Sequence, residues 1–215
     1  MDLDYFIKRI YSNEKRFLFV ILISALTLRL IVAFTSQTSV TYDSLGYDQR
    51  ALSIVSGKGY SFHGRPTAVK PPLYSIFLAG IYKIFGHNYM AVRIIQSIIG
   101  AIACIIIYYL GKEILGKAVG AISAILFIFY PVFIKSSVHL LTECLFTLMI
   151  SLISLYTLRI SRGAGLKYAV FLGVWLGISV LTRSLMIFFV PLILFLIAFN
   201  FIQINKNSKH KILIT

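Results

Sequence analysis

PPLYSIFLAGIYKIF, from Pro71 to Phe85, is apolar enough to be buried and too short to cross a bilayer. A hydrocarbon core about 30 Å thick needs roughly 17 to 25 helical residues, so this segment reads as an interfacial or re-entrant helix. It opens on Pro-Pro. Proline is favoured in a first helical turn because its missing N–H needs no partner there, so Pro72 reads as the helix start after an extended Lys70-Pro71. Withholding a span from this segment sets the topology of everything around it.

The surrounding chain has 59% apolar residues, 13% charged residues and a mean hydropathy of +0.88, which exclude a soluble globular domain and a disordered chain. Six further apolar runs are long enough to span: about Phe17 to Phe34, Met90 to Leu110, Ala118 to Ile134, Val138 to Leu158, Leu166 to Thr182 and Leu185 to Ile204. Buried in lipid, each must be helical to satisfy its own backbone. The first is too long for a secretory h-region and lacks a small-x-small cleavage site, so it reads as a retained anchor. Pro131 is expected to kink the outer end of the third span and Pro191 the middle of the sixth.

Six spans place Lys8, Arg9, Lys15, Arg16, Lys112, Lys117, Arg159, Arg162, Lys167, Lys206, Lys209 and Lys211 on one side, which the positive-inside rule makes cytoplasmic. Both termini are then cytoplasmic, and one long loop, residues 35–89, lies outside. Loops of that length are mostly functional or disordered. Order is favoured here, because Ser44 to Ser56 has an amphipathic pattern and Gly57 stands where a helix C-cap would. The net charge of +14 is spread through short connectors, as lipid headgroups favour, with no basic patch interleaved by aromatics, so no nucleic-acid partner is expected. Cys104 and Cys144 lie in apolar runs and need no redox role.

Of the seven acids, Asp2, Asp4, Glu14 and Glu113 fall on the cytoplasmic side, leaving Asp43, Asp48 and Glu143 for the outer side. Glu143 is placed one or two turns inside the fourth span, with His139 four residues earlier on the same helical face. An ionisable residue in a span is a functional-site candidate by default, with a structural ion pair to Lys135 or Arg183 as the plain alternative. His139 and Glu143 have the spacing of two metal ligands, but no third is identified, so no cofactor is assigned and a divalent metal is unsupported. Arg65, Lys70, Arg93, Lys135 and Arg183 supply cations on the same side that suit an anionic phosphate. Carboxylate base and cationic clamp together suit group transfer from a lipid-linked phosphate.

The motifs YDSLGYDQRALSIVSGKGY at Tyr42 to Tyr60, KPPLY at Lys70 to Tyr74, LLTECLF at Leu140 to Phe146 and LTRS at Leu181 to Ser184 resemble, in content and order, the N-terminal half of GT-C membrane glycosyltransferases. The likeness is to the dolichyl-phosphate-mannose-protein mannosyltransferase-like group, which includes the aminoarabinose lipid A transferases, and runs from about Arg29 to Pro191. It implies an all-α integral membrane fold whose long first outer loop carries two juxtamembrane helices. It also implies inverting transfer of a sugar from a polyprenyl-phosphate donor to a hydroxyl of a lipid, glycan or protein acceptor, on the outer face of a bacterial or archaeal plasma membrane. Asp43 matches the family's general base.

Relatives often carry a second acid directly after the first, where this chain has Ser44, which brings in Asp48 as a second catalytic candidate. Five residues turn a helix by about 500°, so the two carboxylates lie roughly 140° apart, and Tyr47 and Arg50 are the better neighbours for Asp43. The expected donor-phosphate ligands are Lys70, Arg183, Arg65 and Arg93, and the expected cavity walls Tyr47, His139 and Glu143. Asp43 as a helix N-cap remains the alternative to catalysis, and Tyr60, Tyr74 and Tyr89 are read as an interfacial aromatic belt. Family members usually continue through further spans, so the 215 residues are expected to form a single truncated GT-C module. A noncatalytic lipid-binding or transport protein, and an inactive fragment of the transferase, are the competing readings.

Overall fold

The computed structural model describes residues 13–36 and 42–199. The terminal residues Asp2, Asp4, Lys8, Arg9, Lys206, Lys209 and Lys211, which entered the topology reading, lie outside the described residues. The chain is an all-α membrane protein. Among the described residues, three helices are long and apolar enough to cross a bilayer: α1 (Glu14–Thr35), α4 (Tyr89–Leu115) and α7 (Glu143–Ser161). Between α1 and α4 lie α2 (Tyr42–Val55), a two-residue hairpin of β1 (Ser61–Phe62) and β2 (Arg65–Pro66), and α3 (Leu73–Phe85). After α4 come α5 (Lys117–Phe129), the short α6 (Pro131–Lys135), then α7 and α8 (Leu166–Thr182). A 3-10 turn (Ser184–Phe188) leads into α9, residues 189–199.

The central helix is α4, which packs against α1, α5 and α7. Its C-terminal part meets α5 closely: a Cβ on Gly120 would lie 2.6 Å from the Tyr108 carbonyl oxygen, and one on Gly111 3.0 Å from the Gly120 Cα. Gly120 sits in this helix contact, whereas Gly116, four residues earlier, serves the turn at φ +96°. The same end of the bundle gathers Glu14 with Lys112 (2.5 Å) and Lys117 (3.1 Å), and Glu113 with Arg159 (2.5 Å). Arg29 is fully buried in α1, donating from Nη1 to the Ala25 carbonyl (3.1 Å) beside Gly100 and the Phe127 ring.

Three expectations about spans change in detail. Pro131 ends the third run rather than kinking it: Tyr130 is extended (ψ 116°) and Pro131 starts a new helix, since proline clashes with the carbonyl four residues back. The fourth run is helical only from Glu143; residues 136–142 form turns and bends. His139 and Glu143 thus share no helical face. Pro191 lies in the first turn of α9, directly after the 3-10 turn, and not at mid-helix.

The described part of the loop between α1 and α4, residues 42–88, folds as its pattern implied. α2 ends in a Schellman cap, with Gly57 at φ +76°, Lys58 N donating to the Ser53 carbonyl and Gly57 N to that of Ile54. Pro72 caps α3 without a side-chain bond. α3 lies against α2 and buries Tyr74, Leu78, Ile81 and Tyr82. The hairpin between them turns through His63 (φ +49°) and Gly64 (φ +75°), the two left-handed residues a two-residue hairpin loop requires.

Candidate active site

Lys70 reaches the site because the hairpin delivers it there. The Tyr60 hydroxyl donates to the Lys70 carbonyl at 2.8 Å, fixing the backbone just before Pro71. Arg50 holds the hairpin to α2, lying 4.4 Å from the Phe62 ring while its Nη1 donates to the Gly46 carbonyl at 2.6 Å. From this anchored backbone the Lys70 Nζ lies 2.7 Å from Asp43 Oδ1 and 4.5 Å from the centre of the Tyr47 ring. Asp43 sits inside the first turn of α2, with its carboxylate turned to Lys70. The Lys70 hydrogen bond, reinforced by its charge, holds the Asp43 carboxyl below the ordinary carboxylate range, while burial pushes the Tyr47 phenol up.

Facing this pair is a second one. Glu143, the first residue of α7, accepts from Arg183 Nη2 at 2.5 Å through Oε1. Arg183 is the residue just after α8; it also donates from Nε to Thr142 Oγ1 at 3.1 Å and stacks over Phe146 at 5.1 Å. The second Glu143 oxygen, Oε2, is shielded and has no hydrogen-bond partner among the described residues. Both ion pairs and Tyr47 line one open cavity of about 310 Å³. Pro71, Leu141, Thr142 and Thr182 complete its floor, with Ser184 and Leu185 at the rim. A more apolar cleft of about 370 Å³ adjoins it, sharing Lys70, Pro71 and Ser184 and continuing along Tyr60, Val180, Leu181 and Ile187.

The positions of Tyr47 and Glu143 depend on a residue the sequence reading missed. Gln96, fully buried in α4, accepts from the Tyr74 hydroxyl at 2.6 Å and donates to the carbonyls of Ser137 (3.1 Å) and His139 (2.9 Å). Cys144 Sγ in turn donates to the Gln96 carbonyl at 3.1 Å. Tyr74 packs edge-on against Tyr47, with ring centres 5.1 Å apart. The Gln96 side chain therefore ties α3 to the irregular 136–142 segment, while its backbone carbonyl holds the start of α7. A lone glutamine in an apolar run was its only sequence signal.

The remaining candidates lie elsewhere. Asp48 faces away from the cavity, buried with its carboxylate accepting from Tyr82 (2.6 Å) and Tyr89 (3.1 Å) and 2.9 Å from His87 Nε2. Burial, then Asp48, raises the Tyr82 phenol well above its usual range. Arg65 is exposed on β2, and Arg93 donates to the Ser36 carbonyl at 3.2 Å, neither lining the cavity. His139 is also absent from the lining and contributes its carbonyl to Gln96. Tyr60, Tyr74 and Tyr89, read as an interfacial belt, have their hydroxyls bonded within the protein to Lys70, Gln96 and Asp48, respectively. Among the described residues no three His, Cys, Asp or Glu side chains converge as a metal-binding group.

Residues 69–215, about two thirds of the chain, match the family model described as dolichyl-phosphate-mannose-protein mannosyltransferase. The match covers Lys70, Glu143 and Arg183 and begins after Asp43 and Tyr47. No curated protein and no solved structure matches the chain.

Proposed function

Because the chain belongs to the dolichyl-phosphate-mannose-protein mannosyltransferase family of membrane glycosyltransferases, we propose that its cavity transfers a sugar from a polyprenyl-phosphate donor to an acceptor hydroxyl with inversion, on the non-cytoplasmic face. The observation that supports this most is the joining, in one cavity, of the Asp43 carboxylate with Lys70 and Arg183 from three separate parts of the chain. In the step, the acceptor hydroxyl gives its proton to Asp43 as its oxygen bonds the anomeric carbon from the face opposite the phosphate. The carbon–oxygen bond to the phosphate breaks, and the electron pair stays on the lipid phosphate. Lys70 and Arg183 stabilise the charge that develops there.

The apolar cleft beside Lys70 suits the lipid chain of a substrate whose head lies in the polar cavity. Asp48 has no place in the transfer step, since each of its carboxylate oxygens accepts from a tyrosine and it is buried away from the cavity. The acceptor is a hydroxyl on a lipid, a glycan or a protein. Two variants separate the roles. Asp43→Asn keeps donor binding and loses transfer, whereas Arg183→Ala weakens donor binding, read with a prenyl phosphate in reconstituted membranes. Loss of donor affinity in Asp43→Asn with normal affinity in Arg183→Ala overturns the assignment.

A further inference from the structure

Neither cation of the cavity is idle, and the two are held in different ways. Arg183 has three contacts: Glu143 Oε1 at 2.5 Å, Thr142 Oγ1 at 3.1 Å and the Phe146 ring at 5.1 Å. Among the described residues Lys70 has only the Asp43 carboxylate at 2.7 Å and the Tyr47 ring at 4.5 Å, and the Asp43 side chain is 70% exposed. The Lys70 backbone is pinned by Tyr60, so only the flexible four-carbon stem can move. Its charge is thus the one an incoming anion can take.

We propose that the Asp43–Lys70 pair is a resting latch, which the phosphate of the arriving lipid donor opens by drawing Lys70 away, and that this exchange frees Asp43 for the acceptor hydroxyl. The inference rests on the function proposed above and adds an order to it: donor first, acceptor second. Before exchange, Asp43 is a weak base because Lys70 depresses its proton affinity. After exchange its counter-charge is spent on the phosphate, and the nearby anion raises that affinity further. Base strength then appears only when there is a sugar to transfer. Arg183 stays in place as the fixed part of the phosphate seat, held by Glu143.

The latch makes an unusual demand, that removing the base should improve donor binding. The test measures the affinity of a short-chain prenyl monophosphate for the full chain in vesicles at low salt, for the unaltered protein, Asp43→Asn, Lys70→Met and the double variant. Asp43→Asn should bind about two- to fivefold more tightly, the size of a water-exposed ion pair, and the gain should shrink at high salt. Lys70→Met should bind more weakly, and adding Asp43→Asn to it should change nothing. Asp43→Ser serves in the same way if the asparagine variant does not fold. Equal or weaker binding by the Asp43 variants overturns the latch, as does tightening that persists without Lys70, which would be simple relief of repulsion. Saturable binding without tightening refutes the latch alone, whereas no saturable binding to the unaltered chain refutes the functional reading with it.

Discussion

Lys70 lowers the pKa of Asp43, so its removal has a sign that can be worked out. A carboxyl whose pKa is depressed stays ionised, and able to accept a proton, until the pH falls through that lowered value. The acid limb of kcat/KM for the donor, which reports the free protein, should therefore lie below the ordinary carboxylate range and move upward in Lys70→Met. A limb that does not move, or moves down, contradicts the pairing. Gln96 offers a second test. Gln96→Leu strands the Tyr74 hydroxyl and the 137 and 139 carbonyls in the interior, at about 1–3 kcal/mol per stranded group. Thermal unfolding in detergent should show a clear loss of stability, and Tyr74→Phe added to it should cost less than in the unaltered protein.

At the scale of elements, spacing marked the helices better than it marked their ends. α8 begins and ends where its apolar run does, and α3 starts at its Pro-Pro signal, because hydrophobic pattern and proline chemistry are local. The start of α7 was not legible: Val138 to Thr142 is as apolar as the helix that follows, and its backbone is bent away by Gln96 from another helix. Glu143 was therefore read as lying inside a span when it heads one. Glycines show the same limit. Gly120→Ala would force a Cβ to 2.6 Å from a backbone oxygen of α4 and should destabilise by roughly 1–3 kcal/mol, while a Cβ on Gly173 meets open space and should cost no more than about 0.5 kcal/mol. Their melting temperatures compare the two directly; equal values would contradict the close α4–α5 contact.

For the molecule as a whole, the reading of Pro71–Phe85 as something other than a span puts the hairpin and the α7–α8 connection at opposite ends. In intact cells an impermeant thiol reagent should label Lys58→Cys and spare Lys167→Cys, against a low background because Cys104 and Cys144 are buried. The reverse pattern would place the cavity on the cytoplasmic face. Asp43, Lys70, Arg183, Tyr47 and Glu143 were all legible as chemistry in the sequence and meet in one cavity. Arg65, Arg93, His139 and Asp48 were legible as residue types only, since exposure, a backbone carbonyl or a pair of tyrosines claims each through folding distant in sequence.

The cavity's central claim is proton removal by Asp43 during sugar transfer. Its most direct test is the single-turnover rate of transfer from a polyprenyl-phosphate sugar by the 215-residue chain in membranes, with and without Asp43→Asn, under saturating donor. The account predicts measurable transfer by the unaltered chain and a rate lower by about 10²- to 10⁴-fold in the variant, the size of lost general-base assistance. Equal rates would contradict it, and so would an unaltered chain that binds donor and transfers no sugar.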